Sequence, residues 1–139
     1  MEDKDIKRRS RLIRVLILSD RLEDQSKALA SFLNGTETVE VIGIAEDKQQ
    51  ALDLAGKDNF DYLLIAGYLK KEYNYEVIED LQRRGKKFLT VQWSILDPLI
   101  AEFCRRYKIP LKFERTLPMA EFVIFLEEHR HDLLENNMI

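Results

Sequence analysis

The stretch Asp61-Tyr62-Leu63-Leu64-Ile65-Ala66-Gly67 decides the fold. Residues 62–66 form an apolar run without alternation, the pattern of a parallel strand covered on both faces. Similar runs flank it. Leu12–Leu18 is aliphatic apart from Arg14, Val39–Ala45 precedes the central stretch, and Phe88–Gln92 and Pro110–Phe113 follow it. Helical patterns separate the runs. Ser19 and Asp20 open a helix to about Leu33, with Leu22, Ala28, Leu29, Phe32 and Leu33 on its apolar side and Asn34-Gly35 as the stop. Asp47 is placed as the N-cap of a short helix containing Ala51, Leu52 and Leu54 and ending at Gly56. A third helix runs from about Tyr75 to Arg83 and closes at Gly85. Asp97-Pro98 starts a fourth through Tyr107, since proline suits the first helical position. The last spans about Pro118 to Leu134.

Five strand–helix units joined by short loops predict a doubly wound α/β/α sandwich with a parallel sheet in the flavodoxin-like order 2-1-3-4-5. A chain of 139 residues suits one such domain, assigned to 12–135, with a basic leader at 1–11 and a tail at 136–139. The hydrophobic fraction of 45% and charged fraction of 34% support a packed core and exclude a disordered chain. A net charge of -3 gives no general attraction to nucleic acid, and the cluster Lys7, Arg8, Arg9, Arg11 and Arg14 reads as a solvated leader. The lone Cys104 cannot close an internal disulfide and fits a small core position. No apolar run approaches the ~18 residues of a membrane span, and the charged N-terminus is no signal peptide. A cytoplasmic domain is the expectation.

In this architecture chemistry gathers at the carboxyl ends of the strands. Val15-Leu16-Ile17-Leu18-Ser19-Asp20, Val41-Ile42-Gly43-Ile44-Ala45-Glu46-Asp47 with Ala51-Leu52, and Asp61-Tyr62-Leu63-Leu64-Ile65 together resemble the receiver (CheY-like) domain of two-component response regulators. The resemblance covers about Leu12 to His129. It implies a pocket in which paired carboxylates bind Mg²⁺, an aspartate accepts a phosphoryl group, and a hydroxyl and a lysine hold the phosphoryl oxygens. On that pattern Ser19 and Asp20 fall on the acidic pair, Ala66 on the acceptor, Gln92 on the hydroxyl (with Ser94 as the alternative) and Arg115 on the lysine. A methyl side chain accepts no phosphoryl group. Only Asp20 keeps its type, and one carboxylate is thin support for Mg²⁺, so no metal or cofactor is expected. The resemblance therefore implies a degenerate receiver, phosphorylation-independent and acting by protein–protein contact with a histidine kinase, another regulator or an output domain. The alternatives are a working phosphorelay receiver with an atypical acceptor, or the N-terminal regulatory domain of a transcriptional regulator. A small flavodoxin-like enzyme is the weakest, because Ser19-Asp20-Arg21-Leu22 has no glycine to cradle a phosphate.

The plainer roles are open for several of these residues. Asp20 fits a helix N-cap at least as well as a metal site. Arg115 either pairs with Asp20 or stays on the surface. His129 and His131 belong to a polar helix end, and Tyr68, Tyr73 and Tyr75 cap a core edge or meet a partner. Phe122-Val123-Ile124-Phe125-Leu126 is apolar around most of a helix. With Leu99, Ile100 and Phe103, Phe122 and Phe125 predict a homodimer through the face of the fourth helix, fifth strand and fifth helix.

Overall fold

The computed structural model describes residues 12–20 and 24–135, with side chains described as far as Arg130. The leader 1–11, the tail 136–139, Leu22 and the His131 side chain lie outside the described residues. The strands are β1 (Ile13–Leu18), β2 (Val39–Ala45), β3 (Tyr62–Ala66), β4 (Leu89–Ser94) and β5 (Leu111–Glu114). The helices are α1 (Asp24–Asn34), α2 (Lys48–Lys57), α3 (Val77–Arg83), α4 (Pro98–Arg106) and α5 (Met119–Glu135), with a 3₁₀ turn, Glu72–Glu76, ahead of α3. All strand pairs are parallel, in the order β2-β1-β3-β4-β5.

Alternation along the strands divides the core. Leu16, Leu18, Leu63 and Ile65 face α2, α3 and α4, through residues such as Leu52, Leu81 and Ile100. Val15, Ile17, Tyr62, Leu64 and Ala66 face α1 and α5, through Leu29, Leu33, Phe122 and Leu126. Local caps fit the sequence. Asp47 Oδ1 accepts the Gln50 N–H at 2.8 Å, and Asp97 Oδ1 accepts that of Ile100 at 2.9 Å. Gly85 lies at φ +82°, where a side chain would be strained.

Several boundaries differ from the sequence pattern. Helix α1 is described from Asp24, and Ser19 and Asp20 fall in the segment that follows β1. Its buried face is Leu29, Ala30 and Leu33, while Ala28 and Phe32 are exposed. Gly56 lies within α2, and β4 extends two residues past Gln92 to Ser94.

The apolar last helix has an internal explanation. Phe122 and Leu126, four residues apart, are fully buried against the sheet. Phe125 packs beside them, its ring 5.2 Å from Phe113 and 4.3 Å from His129. His129 is therefore half-buried, its Nδ1 2.9 Å from the Phe125 carbonyl. Ile100 is also buried, and Phe103 stacks on Tyr75 at 5.1 Å. Of the five residues assigned to a homodimer face, only Leu99 is largely exposed, at 51%. The others fill the core or its margin, so apolarity around this helix goes largely into a wide packing surface. Among its described side chains, Ile124 is the exposed large apolar residue.

Candidate functional site

The carboxyl ends of β1, β3, β4 and β5 bring the sequence-assigned residues to one edge of the sheet. Ser19, buried, takes the Ser26 hydroxyl at 3.0 Å on its own Oγ, while its N–H bonds to Ala45 O at 2.9 Å. Asp20 reaches across the sheet edge. Its Oδ2 accepts the Lys71 N–H at 2.9 Å, joining the end of β1 to the loop after β3. Its Oδ1 is buried without a hydrogen-bond partner among the described residues.

Ala66 closes β3 with 7% exposure, and the strand register sets Trp93 directly across from it. In-register neighbours point to the same side of a parallel sheet. The residue beside the acceptor position is thus Trp93, which is 3% exposed and whose own register partner is Phe113. Gln92 pairs with Ile65 and lies on the other face, fully buried, where its Nε2 donates to Gly67 O. The residue assigned to the hydroxyl position therefore lies on the face opposite Ala66. Ser94, which shares that other face, is buried and pairs with Glu114. Arg115 follows β5, half-buried, with its N–H on Ser94 O at 3.0 Å.

Three residues that the sequence did not single out, or left open, organise this edge. Glu114 ties two loops together. Its carboxylate accepts the N–H of Leu96 at 3.0 Å and of Thr116 at 3.4 Å, and its carbonyl takes Leu117 N–H at 3.1 Å. The Leu96 N–H holds the Glu114 carboxyl below its usual range. Tyr75, at 1% exposure, accepts the Leu69 N–H on its hydroxyl at 3.1 Å. Burial pushes its phenol up to about 12. Asn74, fully buried, takes the Lys48 N–H at 2.9 Å. The loop after β3 is therefore fastened to β1, α2 and the 3₁₀ turn. Tyr68 and Tyr73, by contrast, are exposed, at 40% and 51%. Asp61, at the far end of β3, accepts the Arg14 N–H at 2.8 Å, and burial raises its carboxyl.

Among the described residues no group of three or more His, Cys, Asp or Glu side chains is arranged to hold a metal ion. Cys104 is buried in the core, and burial pushes its thiol up, as suits a packing role.

No protein-family model and no curated protein matches the sequence. Solved structures do. The signal receiver domain of an HD domain-containing protein from Pseudomonas fluorescens Pf-5 superposes with a TM-score of 0.69 at 18% identity, covering 90% of this chain and 93% of that one. The fold is that of a receiver domain. The response regulatory domain of protein mrkE from Klebsiella pneumoniae gives 0.66 at 13% identity, over 88% of this chain and 99% of that one. Chemotaxis protein CheY4 of Vibrio cholerae gives 0.65 at 14% identity, over 84% and 98%. At these identities the likeness is one of fold, and the chemistry of the receiver fold has to be judged on the residues at the strand ends. No helix among the described residues is long and apolar enough to cross a membrane.

Proposed function

We propose that this chain is a receiver-like signalling domain that acts by contact with another protein and without an aspartyl phosphate. The observation that carries this reading is the pairing of Ala66 with Trp93, both buried, at the place where a working pocket needs a nucleophilic carboxylate and a hydroxyl. Phosphoryl transfer requires an acceptor in line and groups that neutralise developing charge. A methyl and an indole supply neither. Asp20, the carboxylate that a metal would need, already holds the loop after β3 through Lys71. Ser19 is buried and bonded to Ser26. With no acceptor at Ala66 and the loop fastened, phosphorylation has no part in setting the conformation, and a partner that prefers one arrangement sets it.

The surface offered to such a partner lies beside the pocket. Ile95 and Leu117, on the two loops joined by Glu114, Leu96 beside Ile95, and Leu99 in the first turn of α4 are 41–51% exposed. Neighbouring exposed apolar side chains of this kind mark interaction surfaces more often than scattered ones do. The partner is a kinase, another regulator or an output domain, and no enzymatic step is proposed for the domain itself.

The test is intact mass after incubation with acetyl phosphate and Mg²⁺, together with Trp93 fluorescence during addition of beryllofluoride. An unmodified mass and a flat titration are expected. An added phosphoryl group with a saturable fluorescence change would overturn the reading.

A further inference from the structure

A second feature lies between α3 and α4, away from the strand ends. Tyr75, Glu76, Glu79, Arg106, Tyr107 and Lys108 line a groove of about 400 Å³, within the usual range for small-molecule sites. Its wall is an aromatic stack: the Tyr75 and Tyr107 rings lie 4.5 Å apart at an interplanar angle of 8°. Its charges are not equivalent. Glu76 is paired with Lys48 at 3.3 Å and Glu79 with Arg83 at 3.3 Å, and Arg106 is bound by Glu72 and Glu102. Lys108 is the lining charge with no ion-pair or hydrogen-bond partner among the described residues. It is exposed and is held at φ 56°, immediately after α4.

We infer that this groove binds a planar aromatic carboxylate, its ring against Tyr107 and its anion on Lys108. An aromatic ring suits a wall of stacked tyrosines. An anion suits the cation that no described side chain neutralises, whereas an amine would meet acidic groups whose charge Lys48 and Arg83 already offset.

The wall of the groove is also part of the receiver site. Tyr75 lies under Tyr107 at one end, and its hydroxyl holds Leu69 N–H in the loop after β3 at the other. Two residues on, Asp20 holds Lys71. Glu72, between Lys71 and the rest of the 3₁₀ turn, takes the Tyr107 hydroxyl at 2.8 Å and the Arg106 guanidinium. A ligand that shifts Tyr107 therefore pulls on the loop beside Ala66 through two connections. The groove supplies an input to the site that needs no phosphoryl group. This inference does not rest on the pocket's being inert, which the acetyl phosphate mass measurement tests separately.

The experiment is amide-resolved NMR on the full chain, titrated with 4-hydroxyphenylacetate, its neutral amide and the cation tyramine. Saturable shifts at Tyr107 and Lys108 are expected with the carboxylate, spreading to Leu69 and Lys71. The neutral amide should bind about fivefold more weakly, the span of an exposed ion pair, and tyramine no better than the amide. Lys108→Asn keeps a residue that tolerates left-handed backbone and should cut carboxylate affinity by the same factor. No saturable shift at millimolar concentrations, equal affinities for the three compounds, or indifference to Lys108→Asn would overturn the site. Shifts that stop at the groove and never reach Leu69 would overturn the connection.

Discussion

Replacing Ala66 by aspartate supplies the carboxylate that phosphoryl transfer requires, and on the proposed reading this alone does not make a working pocket. Position 66 is 7% exposed and faces Trp93, itself 3% exposed. The new carboxylate would be largely desolvated against an indole. An unsatisfied buried polar group costs about 1–3 kcal/mol and a charged one more, so we expect a loss of about 3 kcal/mol at neutral pH. In a domain of this size that lowers Tm by roughly 10 °C. Burial favours the protonated acid, so the loss should shrink as pH falls toward the carboxylate range. Ala66→Asn, of similar size and uncharged, separates the charge from the crowding. Urea unfolding followed by far-UV circular dichroism gives the stabilities, and intact mass after acetyl phosphate with Mg²⁺ gives the chemistry. Ala66→Asp is expected to be destabilised relative to Ala66→Asn and to remain unmodified. A variant as stable as the parent that takes up one phosphoryl group would refute the claim that Trp93 keeps position 66 from serving as an acceptor.

Other predictions follow from single contacts. Phe122→Ala should cost about 3–5 kcal/mol in urea unfolding, because the ring is fully buried and 4.9 Å from Phe113; a neutral result would mean that it faces a partner after all. Leu99→Glu, on an exposed position, should change stability by no more than about 0.5 kcal/mol, leaving any lost partner binding attributable to contact. Asp47→Ala should cost about 1 kcal/mol by removing the α2 cap, measured by the same unfolding assay. Burial raises the Asp61 carboxyl above 3.8, so the folded state holds its proton more tightly and this group's contribution falls as pH rises through the window just above that value. Asp61→Asn keeps the acceptor for Arg14 N–H and should remove that dependence. Its stability relative to the parent should therefore improve from acid pH to neutrality in paired unfolding curves.

Much of the fold was legible in the sequence because it rests on local signals. An apolar run as short as Tyr62–Ala66 has the length and pattern of a covered strand, and Asp47 and Asp97-Pro98 mark helix starts through hydrogen bonds made within one turn. Alternating such units leaves few topologies, and the observed sheet order is the one expected. The alanine at the end of β3 needed no structure either, since a methyl group has the same chemistry wherever it is placed.

What the tertiary structure decided depends on register and direction, which spacing along one strand does not contain. Gln92 and Trp93 are adjacent in sequence and point to opposite faces, so extending β4 to Ser94 and pairing Trp93 with Ala66 changed which one borders the pocket. Asp20 offered a cap or a metal ligand locally, and its partner, Lys71, comes from the loop after β3. Phe122 and Phe125 lie on a helix apolar nearly all round, and only the position of Phe113 in β5 turned them inward. Tyr75 joins a groove to a loop because its ring and its hydroxyl end in different neighbourhoods. Local sequence fixes which elements form, through bonds a few residues long. Which side chains meet at their ends is set by contacts between distant segments, whose geometry exists only once the sheet has closed.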